Sequence, residues 1–166
     1  MNIAHWFEGL PRELSVILIA MLPVSELRGA IPWAVHPQGG GMSLGTAYVL
    51  AVIGNFIPVV PLLLGLGPAS SVLRRWDIFD RFFQWLFART RRRGKLVEKY
   101  EALGLIPFVA IPLPVTGAWT GTVAAFVFGV RFWYALPAIL AGILIAGVVV
   151  VAACAGVIGI WGIASS

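Results

Sequence analysis

The chain has 166 residues, 60% of them hydrophobic and 11% charged, with a mean hydropathy of +0.93. That apolar share exceeds the roughly 45–50% of an ordinary soluble domain, so the sequence reads as an integral membrane protein, and at this length as one membrane domain over 1–166 with no separate soluble part. The net charge of +5 does not point to nucleic acid, because nine of the twelve basic residues fall between Arg74 and Lys99, a loop asymmetry that orients membrane proteins and places this loop in the cytoplasm.

The first element, from Leu14 to Val35, is apolar but is interrupted by Pro23, Glu26, Arg28, Gly29 and Pro32. Its uninterrupted piece, Leu14 to Leu22, is about half of the roughly 20 residues a spanning helix needs. The pattern predicts a helix, a break and a second short helix. Ser25 is the expected cap of the second piece, and Pro23 and Pro32 the residues that interrupt regular hydrogen bonding on either side. Glu8, Arg12 and Glu13 precede this element in place of the basic region and small-residue cleavage site of a secretory leader, so the segment is read as mature structure.

Pro37 to Gly41 reads as a glycine-rich turn, and Leu44 to Leu66 as a full span with Asn55 and Pro58 as its irregularities. Asn55 has two readings: it hydrogen-bonds a neighbouring helix, or it faces a transport site. From Arg74 to Arg93, polar residues at helical spacing oppose Trp76, Phe79, Phe83 and Leu86. This predicts an amphipathic helix in the membrane interface, with Arg89, Arg91, Arg92, Arg93 and Lys95 meeting anionic headgroups. A second apolar run, Leu103 to Val130, is cut by Pro107, Pro112, Pro114 and the stretch from Thr116 to Gly121. The last run, Trp133 to Ile163, has no charge and exceeds one upright span, so it is tilted, kinked near Pro137 or continued beyond the bilayer.

Two stretches 91 residues apart share one signature, Leu22-Pro23-Val24-Ser25-Glu26-Leu27-Arg28-Gly29 and Leu113-Pro114-Val115-Thr116-Gly117-Ala118-Trp119-Thr120-Gly121. Broken backbone and charge are tolerated in hydrocarbon only where they line a cavity buried in protein, and a duplicated broken element is the sequence pointer to a transporter site. The expected fold is all-α: an inverted repeat of a broken, re-entrant helical hairpin plus a transmembrane helix, with a cytoplasmic amphipathic helix between the halves. The first repeat is 1–66, the basic amphipathic segment 67–101 with 68–101 cytoplasmic, and the second repeat 102–166. Pro23, Gly29, Pro32, Pro114, Gly117 and Gly121 are the expected structural hinges. If each broken segment dips and returns, both termini lie outside; if the first spans instead, the N-terminus is cytoplasmic.

Glu26 and Arg28 are the two charges between Glu13 and Arg74. They stand at the predicted tip, where an unwound backbone lets residues two apart converge. One reading makes them a structural pair holding the tips together; the other makes them an ion or substrate site, the default for intramembrane ionisable groups. Arginine favours oxyanions through its planar, permanently charged fork, and Glu26 is the candidate for a coupling proton. Ser25, Asn55, Thr116, Trp119 and Thr120 supply further polar groups, although a hydroxyl in a helix also back-bonds to its own backbone. No paired carboxylates, nucleophile beside histidine or metal-ligand spacing occurs, and the lone Cys154 builds no disulfide or metal set. The sequence therefore predicts no enzyme, no metal and no cofactor.

Through Glu26-Leu27-Arg28-Gly29-Ala30-Ile31-Pro32, Gly54-Asn55-Phe56-Ile57-Pro58 and Pro114 to Gly121, the chain resembles the small multidrug export family over nearly its whole length. That family is distantly similar to the DedA (VTT, or SNARE-associated) superfamily, whose members are implicated in moving undecaprenyl phosphate and other lipids. The resemblance implies two membrane-dipping hairpins, with Glu26 and Arg28 matching the charged pair of the first. The second departs from the DedA pattern, since Gly117 to Gly121 has no arginine and Trp119 in its middle. The expected function is transport of an anionic lipid carrier such as polyprenyl phosphate across a bacterial inner membrane, possible proton coupling included, by a multi-pass homodimer. The alternatives are a proton-coupled small multidrug or cation exporter, against which Arg28 argues by charge repulsion, and a non-transporting membrane scaffold.

Overall fold

The computed structural model describes residues 10–37, 39–65, 95–111 and 117–164. Every described element is helical: α1 Arg12–Met21, α2 Glu26–Val35, α3 Leu44–Phe56, α4 Lys95–Ala110, α5 Ala118–Phe128 and α6 Phe132–Ala164. After a turn at Ile57 and Pro58, residues 59–65 are helical again. The predicted amphipathic helix of 74–93 lies outside the described residues.

One compact unit comprises residues 1–57 and 144–166. In it α1, α2 and α3 pack against one another. Each has a buried inner stripe of largely small or aliphatic residues: Ser15, Val16, Ile19 and Ala20 on α1, Leu27, Ala30, Ile31 and Ala34 on α2, and Ala47, Ala51, Val52, Gly54 and the polar Asn55 on α3. The α2 spacing of three and four residues is the one that places side chains on a single helix face.

The α1–α2 segment folds back on itself. The Arg12 guanidinium, at the start of α1, donates to the Gly40 carbonyl at 3.2 Å, beyond the end of α2. The chain therefore enters and leaves at the same end. Gly40 N–H and Met42 N–H donate to the carbonyls of Trp33 and Ala34, closing the last turn of α2. A Cβ on Gly40 would lie 2.5 Å from the Ala34 oxygen, so this approach admits glycine alone without a shift of backbone. Ser43 then caps α3, its hydroxyl accepting from Thr46 N–H at 3.2 Å.

The second unit comprises residues 58–143, where α5 packs on α4. Val109 of α4 stands against Gly121 of α5 and Gly142 of α6, at positions where any Cβ would overlap it. Helix α5 ends at Gly129, whose φ of 69° lets Gly129 N–H and Val130 N–H return to Phe126 and Ala125 carbonyls, a glycine-terminated cap.

Two stretches are long and apolar enough to cross a membrane, Leu44–Gly65 and Phe132–Val157. At 1.5 Å per residue they extend roughly 33 and 39 Å, against a hydrocarbon core of about 30 Å. Only 33% and 39% of their residues are buried, unlike a core helix of a soluble protein. Val49, Ile53 and Ile57 form an exposed apolar stripe on the first, and Leu144, Ile145, Val148 and Val149 are exposed on the second. Trp133, 80% exposed, and Tyr134 stand at the start of the second span, where aromatic belts occur.

Two expectations about breaks are corrected. Pro32 lies inside α2 and Pro107 inside α4, and neither ends its helix. Both rings are exposed, so each removes one donor without forcing a ring into the packed face, and the helix resumes with His36 N–H bonded to the Pro32 carbonyl and Ile111 N–H to that of Pro107. Gly29 and Gly121 also sit within helices, packed on the Ser25 Cβ and the Val109 side chain. Among the described residues α4 runs from Lys95 to Ala110.

Candidate functional site

The break between α1 and α2 is four residues, Leu22 to Ser25. Pro23 cannot continue the hydrogen-bond ladder of α1, and Leu22 is already extended at ψ 135°. Ser25 occupies the capping position of α2 but makes no cap bond to it. Its hydroxyl instead donates to the Ile19 carbonyl at 2.7 Å. It thus satisfies the open end of α1 and ties the second arm to the first, which corrects the expected capping role.

Glu26 follows with φ of 43°. A non-glycine residue at positive φ carries roughly 1–2 kcal/mol of backbone strain, and such outliers concentrate where the surrounding structure over-determines the conformation. On a regular helix residues 26 and 28 would point apart. The positive φ takes Glu26 off the helical track, and its Oε2 lies 3.6 Å from Arg28 Nη2. The two side chains differ in access: that of Glu26 is 5% exposed and that of Arg28 26%. The carboxylate is sequestered and the guanidinium is the reachable member. Val24, two residues earlier, is 92% exposed, so the tip is apolar outside and charged within.

Asn55 is the third polar residue of this unit's interior. It is 1% exposed, and its Oδ1 has no hydrogen-bond partner among the described residues. Its neighbour Gly54 fixes how closely α3 approaches α1, since a Cβ there would lie 2.5 Å from the Ile17 carbonyl oxygen and 2.9 Å from the Ala20 Cβ.

In the other unit, Gly117 precedes α5 with an extended backbone, Trp119 and Thr120 are half-buried, and the Thr120 hydroxyl donates to the Gly117 carbonyl at 3.3 Å. Thr120 thus shows the back-bonding to its own helix that the sequence left open. Thr122, which sequence reasoning passed over, is fully buried and donates to the Ala118 carbonyl at 2.6 Å; its place four residues after Ala118 and one after Gly121 was the available signal. Pro114 and Thr116 lie outside the described residues, as do Arg89, Arg91, Arg92 and Arg93; Lys95 is the first residue of α4. No group of three metal-ligating side chains occurs among the described residues.

Residues 26–149 match the model of the family described as "Putative small multi-drug export protein". The chain belongs to that family. With two apolar helices long enough to span a bilayer, this small multi-drug export chain is a membrane protein. The family match opens on Glu26 and takes in all of α2 to α5, so Arg28 and Asn55 fall within it while α1 does not. No curated protein and no solved structure matches the chain.

Proposed function

We propose that this protein is a transporter that moves an anionic amphiphile between bilayer leaflets, with a polyprenyl phosphate lipid carrier as the substrate class, in the manner of the DedA proteins it resembles. The observation that carries the reading is the Glu26–Arg28 pair, with its carboxylate buried, at the tip of a hairpin whose arms are ten residues each. Ten helical residues extend about 15 Å, half of a 30 Å hydrocarbon core. A re-entrant hairpin of that length carries its charges to the middle of the membrane, and an ionisable group there marks a functional site by default.

In this reading Arg28, the more exposed partner, holds the phosphate through its planar fork. Glu26 exchanges the guanidinium for a proton as the headgroup arrives, which couples or releases the substrate. The tail stays in lipid, so a few polar groups suffice. The setting is a bacterial inner membrane, multi-pass, with 68–101 cytoplasmic. A homodimer closes the thin wall left by so few membrane elements, and neither cofactor nor catalysis is required.

The family description favours a second reading, export of small drugs, which we couple to protons through Glu26 as the proton site. The two separate in one assay. Purified protein in liposomes is tested for leaflet exchange of a fluorescent polyprenyl phosphate, wild type against Glu26→Gln and Arg28→Ala at matched folded yield. Exchange accelerated by wild type and lost in both variants is the expected result. No exchange by wild type, with proton-driven accumulation of a hydrophobic cation, overturns the lipid reading in favour of drug export. Neither activity, together with function in cells lost on replacing Arg91, Arg92 and Arg93, would leave the scaffold role.

A further inference from the structure

An unsatisfied carbonyl oxygen inside a membrane protein is costly, and native structures pair such groups with protein, water or ligand. Asn55 Oδ1 is such a group, and its depth can be gauged in two ways. Met42 N–H bonds to the Ala34 carbonyl, so α3 starts level with the end of α2. Counting from there, Asn55 is eleven residues into the span from Leu44, about 16 Å, and Glu26 is eight residues back from Ala34, about 12 Å. Independently, Gly54 abuts Ile17 and Ala20 of α1, the turn that precedes the break. Both gauges put Asn55 within about one helical turn of Glu26, on helices that pack together at roughly 8–10 Å.

We infer that Asn55 Oδ1 is the acceptor of a mid-depth binding site whose donor is Arg28, and that the site takes a phosphate monoester in its singly protonated form. The inference rests on the transport reading above and adds the protonation state and the residue that reads it. A guanidinium alone binds any oxyanion, diester or monoester. Among oxyanions, a buried acceptor beside it is satisfied by one that also brings an O–H, and a hydrogen phosphate monoester carries both. A buried acceptor rejects an analogue that lacks the matching donor, because the acceptor then stays unpaired.

The test compares two fluorescent polyprenyl probes in liposomes with the purified full-length protein: the phosphate monoester, and its methyl diester, which keeps one negative charge but has no P–O–H. Wild type should exchange the monoester at least about tenfold faster than the diester. Asn55→Leu, with the same side-chain branching but no acceptor, should slow the monoester and, by removing the group that rejects it, speed the diester, so that the two rates converge and the discrimination is erased. Asn55→Ser, which keeps an oxygen, serves if the leucine variant folds poorly, and should retain part of it. Equal wild-type rates on the two probes, or an Asn55 variant that slows both equally, would overturn the inference while leaving headgroup transport intact. A wild type that moves neither probe overturns both.

Discussion

Replacing Arg28 by methionine tests whether the charged pair stabilises the hairpin, and the double variant with Glu26→Gln tests whether that is all it does. At 3.6 Å and an effective dielectric of about 20, the Coulomb attraction is roughly 4–5 kcal/mol before desolvation is charged against it. The side chain of Arg28 is 26% exposed, and 3.6 Å is too long for a direct hydrogen bond. Both features lower the net value, so Arg28→Met should cost about 2–3 kcal/mol, chiefly by taking the Arg28 charge away from the buried Glu26 carboxylate. Removing both charges should recover at least about 1 kcal/mol of that loss, because an uncharged pair has no such penalty. The assay is reversible unfolding of the purified protein in mixed micelles by denaturing detergent. A double variant no more stable than Arg28→Met would refute the coupling. Transport gives the second axis: a pair that only holds the tip together predicts that the double variant regains activity with stability, whereas a substrate site predicts regained stability without activity.

Ser25→Ala should lose the bond to the Ile19 carbonyl and cost about 1 kcal/mol in the same unfolding assay, with limited proteolysis showing earlier cleavage at Leu22 to Ser25. Gly54→Ala should cost at least about 1–3 kcal/mol by pressing a methyl onto the Ile17 carbonyl. In the same helix Gly45→Ala, which meets nothing within 4 Å, should stabilise by up to about 1 kcal/mol. Gly121→Ala should destabilise through the Val109 Cγ2 and be rescued by Val109→Ala; Gly142→Ala, opposed by the Val109 Cβ and the Ile106 carbonyl oxygen, should not be rescued, as thermal unfolding of the four variants would show.

The spans were legible because a bilayer imposes a length and an apolar content that few other settings share. Leu44–Gly65 and Phe132–Ala164 lie within a residue of the runs read from sequence. The break near Pro23 and the charged pair were legible for the same reason, since any interruption of so apolar a chain stands out. Pro32 and Pro107 were not, because a proline removes one donor and one ring's worth of space, and whether the helix ends depends on which face the ring takes. Lys95 to Glu101 are part of α4: Lys, Leu, Val, Glu and Tyr in series are tolerable helix formers whatever their charge, and the apolar helix that follows supplies the continuation. The partner chosen by the Ser25 hydroxyl had no signal at all, because a capping serine and one that closes the preceding helix look alike in sequence.

The positive φ of Glu26 was equally hidden, yet magnitudes explain why the chain keeps it. Were α2 regular from its first residue, Glu26 and Arg28 would stand about 160° apart, and one of two charges would face away from the other. On the re-entrant reading proposed above, a charge at that depth costs at least about 2.5–3.5 kcal/mol, more than the roughly 1–2 kcal/mol of a left-handed residue. The strained turn is therefore the lower-energy arrangement, and it is the carboxylate that makes it so. With Glu26→Gln the difference shrinks, and the tip loses its reason to stay wound around the pair. On the transport reading proposed above, protonation of Glu26 would remove the same charge, and the prediction is that it loosens the backbone of the tip as well as the grip on Arg28. The break, the strain and the ion pair would then act as one device, with the charge of a buried carboxylate holding the tip in its wound form.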